Sequence, residues 1–456
     1  MSFVHLHVHS EYSMLDGACF IDDLVSRAKK LKMPAVAITD RNSIAGASRL
    51  WQQCLKARIK PIVGLEIEVL NDLSDGRAFS IILLAKNGDG CQNLARLITL
   101  AHEHDPLAPK ITKSQLQMNA QNLICLSFSV VGELCTLLLE DRDAEAWQVS
   151  DWYRSVFGDD YYYEIQNHGL PQEAIAMNKL LNMAYDSKVP VVLTNDCHYI
   201  RRQDSVAIDA LNCIRKGIDF SQSEAKRFAC NEYYFKTAKE MKSLFDFPPQ
   251  LTQNTLAIAD KIDVTGGYIP VSDGELDISN VLDVFRIFDP TLRIRFKPQS
   301  KLIRVSLMGN ESAAVLAHLH SKFPDYDILP WTEYQHWTPA SIYYAVLRSM
   351  NVEEENIKEL CELIPTEANT LLEAVLISTD FSCFSSENYL YGAALSIGNR
   401  LMDTFRNLVT MPDHYVFIPR NLTVPLVRDQ QGNNICQYDK ETLNMMGCVT
   451  MELILE

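Results

Sequence analysis

Residues 189–194, VPVVLT, form a short β-branched apolar run, and Asn195-Asp196-Cys197-His198 follow at once. An apolar run of this length bounded by polar residues reads as a buried strand. An acid and an imidazole at its carboxyl end are what an α/β barrel places around its active centre. Five other runs have the same character: PAVAIT (34–39), PIVGLEIEVL (61–70), FSIILLA (79–85), NLICLSFS (122–129) and YYYEIQ (161–166). Helical spacing lies between them. From Phe20 to Leu31, apolar residues recur at 20, 21, 24, 25, 28 and 31, and 91–104 and 173–187 behave likewise. Strands alternating with helices over the first 265 residues predict a parallel α/β sheet or barrel.

Polar residues collect where such a barrel would converge them. Val4-His5-Leu6-His7-Val8-His9-Ser10 alternates three histidines, which on a strand could all face one way. Asp16 lies in MLDG, Asp40 ends PAVAIT, Glu66 sits within GLEIEV, and Asp196 and His198 follow VPVVLT. Each alone is as well explained by a turn, a helix cap or a hydrogen-bonded core group. Together they predict a divalent-metal site. The remaining composition describes a globular protein, with 47% hydrophobic and 22% charged residues. At 456 residues, two or three domains are expected. Twelve cysteines without one Cys-x-x-Cys exclude the usual zinc-ribbon spacing and fit reduced thiols in a cytoplasm. No apolar run reaches membrane-span length and no leader is expected at the N-terminus. A net charge of −16 argues against nucleic-acid binding through the overall field and leaves only a local basic patch.

Several ordered motifs carry a family resemblance: FVHLHVHSEYSMLDGA, AITDRNSIAGA, KPIVGLEIEV, LLAKNGDGCQNLARLITLAH and LTNDCHYIRRQD. They resemble the polymerase-and-histidinol-phosphatase (PHP) domain, and more narrowly the one opening the alpha subunit of bacterial DNA polymerase III and its error-prone relatives. The resemblance extends to about residue 265 and implies a distorted barrel holding up to three divalent ions. Carried over, it implies His7, His9, Asp16, Glu66, Asp196 and His198 as metal ligands, with Asp40 or His198 orienting water or leaving group. Three positions depart: Arg41, Ser80 and Ser129 stand where the family has His, His, and Cys or His. Arginine cannot ligate a cation, so one ion (zinc, manganese or iron) is expected rather than three. Arg41 is expected to pair with Asp16 or Glu66.

From 266 to 456 the resemblance is to a degenerate, truncated polymerase palm and thumb-like region, a mixed α+β remnant. The family's paired magnesium carboxylates fall on Pro290-Thr291-Leu292-Arg293-Ile294-Arg295-Phe296, so arginines replace acids, and only Glu452 remains as a palm acid. The family's glycine-rich stretch before that strand is missing, and magnesium-dependent polymerisation is not expected. The basic strand reads first as a solvated sheet edge and second as a short phosphate-contacting patch. The expectation is therefore a catalytically silent alpha-subunit paralogue, accessory or scaffolding in DNA replication or repair. Its partners would be replication or repair proteins such as a proofreading exonuclease subunit, with little DNA contact and no membrane. A reduced-metal PHP phosphoesterase or 3′–5′ exonuclease is the alternative, and an active DNA polymerase a distant third.

Overall fold

A computed structural model describes the chain except residues 1, 72–75, 245–249, 266, 269–275, 290–291, 308–310, 430 and 456. Pro290 and Thr291 of the arginine-bearing stretch, and much of the segment expected to have held a glycine-rich loop, lie outside the described residues.

The apolar runs are strands. They are β1 (Ala35–Ile38), β2 (Lys60–Leu70), β3 (Ala78–Ala85), β4 (Lys110–Thr112), β5 (Leu123–Leu126), β6 (Tyr161–Ile165) and β7 (Val191–Leu193). They form one seven-stranded sheet ordered β1-β2-β3-β5-β6-β7, with β4 on β2. The helical spacings appear as Ile21–Lys30, Gly88–His104 and Pro171–Ser187. The sheet is mixed rather than all parallel, because β3 runs antiparallel to both β2 and β5. Only residues 71–77 separate β2 from β3, too few for the crossover that a parallel pair needs.

The histidine segment is extended yet is no regular strand. It spans the two sheet edges: Thr39 N donates to the Val8 carbonyl after β1, and His9 N to the Cys197 carbonyl after β7. Those bonds close the curled sheet into a distorted barrel. They also deliver His7 and His9 to the carboxyl ends of the strands.

A second sheet contains β8 (Arg293–Lys297), β9 (Leu302–Leu307), β10 (Tyr326–His336), β11 (Phe405–Pro419), β12 (Leu426–Arg428), β13 (Asn434–Cys436) and β14 (Val449–Leu455). Its order is β12-β13-β10-β11-β14-β9-β8. Helices Ile278–Phe288 and Ser312–Lys322 share a core with one of its faces through Val281, Phe285, Val315 and Leu319. Helices from Pro339 to Leu401 form a bundle that packs on the barrel helix Ser205–Lys216, with Tyr343, Val346, Ile208 and Leu211 in one shared core. Trp331, Val416 and Tyr438 belong to the same continuous core as the barrel. Apolar packing therefore crosses the expected boundary at residue 265.

Candidate metal centre and palm-like face

Within the barrel, His7 and His9 turn their Nε2 atoms toward each other, 3.3 Å apart. Asp196 Oδ1 lies 3.2 Å from both, and Glu66 Oε2 lies 3.2 Å from His9 Nε2. An ion with bonds of about 2.1 Å spaces its ligand atoms roughly 3.0–3.4 Å apart along a coordination edge, so these side chains fit one. Two overlapping triads result, His7–His9–Glu66 and His9–Asp196–His198, each with its ligand atoms within 4.8 Å. Glu66 Oε2 is buried and, among the described residues, faces only His9 Nε2, so it is an acceptor that a cation would satisfy.

What stands behind the imidazoles fixes their tautomers. His7 Nδ1 faces Glu164 Oε1 at 2.7 Å, and that oxygen also accepts from the Thr194 hydroxyl and from Gln166 Nε2 at 3.0 Å. His9 Nδ1 meets Ser13 Oγ at 3.0 Å, and Ser13 donates to Asp40 Oδ1 at 2.7 Å. Both Nδ1 atoms thus act as donors, which leaves both Nε2 lone pairs turned to the centre. Asp40 is fully buried, accepting from Ser10 N and Ser10 Oγ as well, and burial pushes its carboxyl up. It reaches the centre through Ser13 and His9.

The charges describe a place for a cation. Burial depresses His9, but hydrogen bonds to Asp196 and Glu66 outweigh it and push it up to about 10. His7 is likewise raised by Asp196 and Glu164 against burial. Burial opposes the ionised form of Asp196, yet His7 and His198 hold its carboxyl well below the usual range. Asp196 itself has a left-handed backbone, φ 42°, a strained conformation that aspartate tolerates and that carries its carboxylate in from the end of β7.

Arg41 enters this centre. It continues the β1–β2 register three residues past the strand, opposite Glu66, and its Nη2 lies 2.9 Å from Glu66 Oε1. Ser80 Oγ donates to the same oxygen at 2.8 Å. Two of the three departures from the family pattern therefore occupy one oxygen of Glu66 and leave the other to His9. Burial raises the Glu66 carboxyl, but Arg41 and then His9 bring it down to about 2. Ser129, the third departure, is buried, and its carbonyl accepts from Gly132 N in a turn.

Asp16 is not gathered into the imidazole cluster. Arg227 clasps it through Nε at 2.5 Å and Nη2 at 3.0 Å, and Arg215 Nη1 stands at 3.4 Å. Its loop folds tightly: a Cβ at Gly17 would lie 2.1 Å from the Ser10 carbonyl oxygen. His198 joins Asp16 to the cluster, with Nδ1 2.7 Å from the Asp16 carbonyl and Nε2 3.0 Å from Asp196 Oδ1. Its ring stacks on His9. His5 faces elsewhere. Its Nε2 meets the Lys236 carbonyl at 2.8 Å, so the three alternating histidines do not share one target, and burial lowers it to about 4.

Sequence reasoning did not pick out Glu164, Ser13, Arg215 or Arg227. Glu164 left a trace, one carboxylate inside an otherwise apolar tyrosine strand. The arginines left none, since Asp16 and Arg227 are 211 positions apart.

In the second sheet, Glu452 is enclosed by basic side chains. Arg304 Nε lies at 2.6 Å, Lys440 Nζ at 3.2 Å and His414 Nε2 at 3.7 Å. Burial opposes its ionised form, but Arg304 and then Lys440 hold its carboxyl below the ordinary value. Arg295 pairs in register with Arg304, and Arg304 with Glu452. Arg293 and Arg295 are exposed on β8, the outermost strand of the sheet, in keeping with a solvated basic edge.

The PHP domain family matches residues 5–168. A DNA polymerase III subunit alpha of Borreliella burgdorferi is 37% identical over 271 residues, covering 57% of this chain and 24% of that one. Its counterpart in Treponema pallidum is 38% identical over 274 residues, covering 58% and 23%. The chain thus spans about a quarter of the length of the curated relatives it matches. An amidohydrolase structure from Chromobacterium violaceum aligns with TM-score 0.28 and 14% identity, covering 43% of this chain and 88% of that one. Among the described residues, no helix is long and apolar enough to cross a membrane.

Proposed function

We propose that this chain, whose N-terminal region is a PHP domain related to that of DNA polymerase III alpha subunits, is an accessory or scaffolding protein of DNA replication or repair that transfers no nucleotides itself. It works in the cytoplasm with replication or repair proteins, and divides into a PHP barrel, 1–265, and a palm- and thumb-like part, 266–456. One observation carries the reading. In each half, a guanidinium holds the carboxylate that catalysis would need for a metal, Arg41 on Glu66 and Arg304 on Glu452. Two-metal phosphoryl transfer needs at least two cations held by free carboxylates, and among the described residues neither half holds such a set.

A second reading rests on a separate observation, the intact backing of His7 by Glu164 and of His9 by Ser13 and Asp40. His7, His9, Glu66 and Asp196 would hold one zinc, manganese or iron ion. Bound there, a divalent ion would polarise a phosphoryl oxygen. His198, tied to Asp196 and the Asp16 carbonyl, would orient the leaving group, and Arg227 and Arg215 would keep Asp16 away from the ion. This reading is a one-metal phosphoesterase or 3′–5′ exonuclease.

Metal analysis, primer extension with magnesium, and manganese-dependent nuclease assays on single-stranded and primed DNA separate the two. The accessory reading expects no extension and no cleavage. Cleavage abolished by His7→Ala establishes the second reading, and extension abolished by Glu452→Ala overturns both.

A further inference from the structure

The bundle carries a surface that neither active centre uses. Among the described residues, six of the sixteen exposed large apolar side chains fall within residues 372–390: Leu372, Leu376, Ile377, Phe384, Tyr389 and Leu390. Leu376 is 85% and Tyr389 88% exposed. The inner faces of the same helices are well buried through Leu360, Leu371, Phe381 and Ala394, so the outward apolar residues are surplus to the core. Between helices Glu354–Glu362, Thr379–Glu387 and Tyr389–Leu401 lies a groove of about 570 Å³. Leu360, Leu363, Phe384 and Tyr391 line it, and Glu359, Glu362 and Glu387 stand at its rim. Among the described residues these three glutamates are exposed and have no cationic partner. Residues 353–390 hold nine acids and one lysine, a net −8 that is half the −16 of the whole chain.

We infer that this groove docks a basic amphipathic segment of a partner protein, with apolar side chains against Phe384 and Tyr391 and lysine or arginine against the glutamates. The charge excludes a phosphate backbone as occupant. An apolar floor inside a charged rim is how a protein groove selects one face of a peptide helix. The inference stands whether or not the barrel holds an ion.

The test uses the full chain and a fluorescein-labelled peptide with Lys and Leu in helical i, i+3, i+4 order, followed by anisotropy. Its Glu/Leu counterpart is the negative control. The Lys/Leu peptide is expected to bind, with at least about tenfold weaker binding for Glu359→Lys/Glu362→Lys/Glu387→Lys and, separately, for Phe384→Ser. Asp151→Lys/Asp186→Lys, on barrel helices, is expected to change nothing. Equal binding of both peptides overturns the inference, as does equal weakening by the barrel control. Concentration-dependent dimerisation abolished by Phe384→Ser overturns it in favour of a second copy. Direct binding of fluorescein-labelled duplex DNA to the chain, weakened by Phe384→Ser, overturns it in favour of nucleic acid.

Discussion

Replacing Arg41 with alanine should move two properties in opposite directions. Without metal, Glu66 is a buried carboxylate whose Oε1 would keep Ser80 and lose its guanidinium, which is 40% exposed on its own side. An ion pair half in water is worth less than a buried one, so the metal-free protein should lose about 1–2 kcal/mol. With metal, the same change removes a repulsion. A dication and a guanidinium sharing one carboxylate lie about 6 Å apart and repel by roughly 5 kcal/mol at an effective dielectric of about 20. Screening of the exposed arginine cuts that to about 2–3 kcal/mol, so Arg41→Ala should bind zinc or manganese about 30- to 150-fold more tightly. Urea unfolding in chelator reads the first effect, and competition with a chelating dye reads the second. Affinity unchanged within about threefold, which is below 1 kcal/mol, would refute the claim that Arg41 fills a cation's position.

Glu164→Gln keeps the shape of the side chain facing His7 but removes its charge, and should weaken metal binding about 10- to 100-fold in the dye assay. His5→Gln, which alters a histidine bonded to the Lys236 carbonyl, should leave that affinity unchanged. Asp16 is held below its ordinary 3.8, against burial, chiefly by Arg227. Its pairing therefore stabilises the protein fully above that value and is lost as pH falls toward the lower folded one, so Arg227→Gln should flatten the acid side of a urea-midpoint profile. Glu452→Gln leaves Arg304 and Lys440, both partly exposed, without their anion and should cost about 1 kcal/mol in unfolding while primer extension stays absent.

Much of the barrel was legible because its signal is local. A strand such as Lys60–Leu70 is written in consecutive residues, and its burial repeats the apolar run almost position by position. The direction of β3 was not legible from strand–helix alternation, since it follows from the shortness of the connection before it rather than from the strand's own residues. At the site, His7, His9, Glu66 and Asp196 were legible because each ends or interrupts an apolar run where a barrel converges its chemistry. Their alternation misled at His5, because the opening segment is not paired as a strand on both sides and its first histidine is caught by Lys236. Arg41 was expected to reach Asp16 or Glu66, and the backbone bridge opposite Glu66 decides between them. Asp16 was expected as a ligand beside the opening histidines, and in the structure its carboxylate is paired with arginines some 200 residues away. Electrostatic partnership across the fold is the one property no local pattern carries. It is also the property that separates a carboxylate waiting for a metal from one that already has its cation.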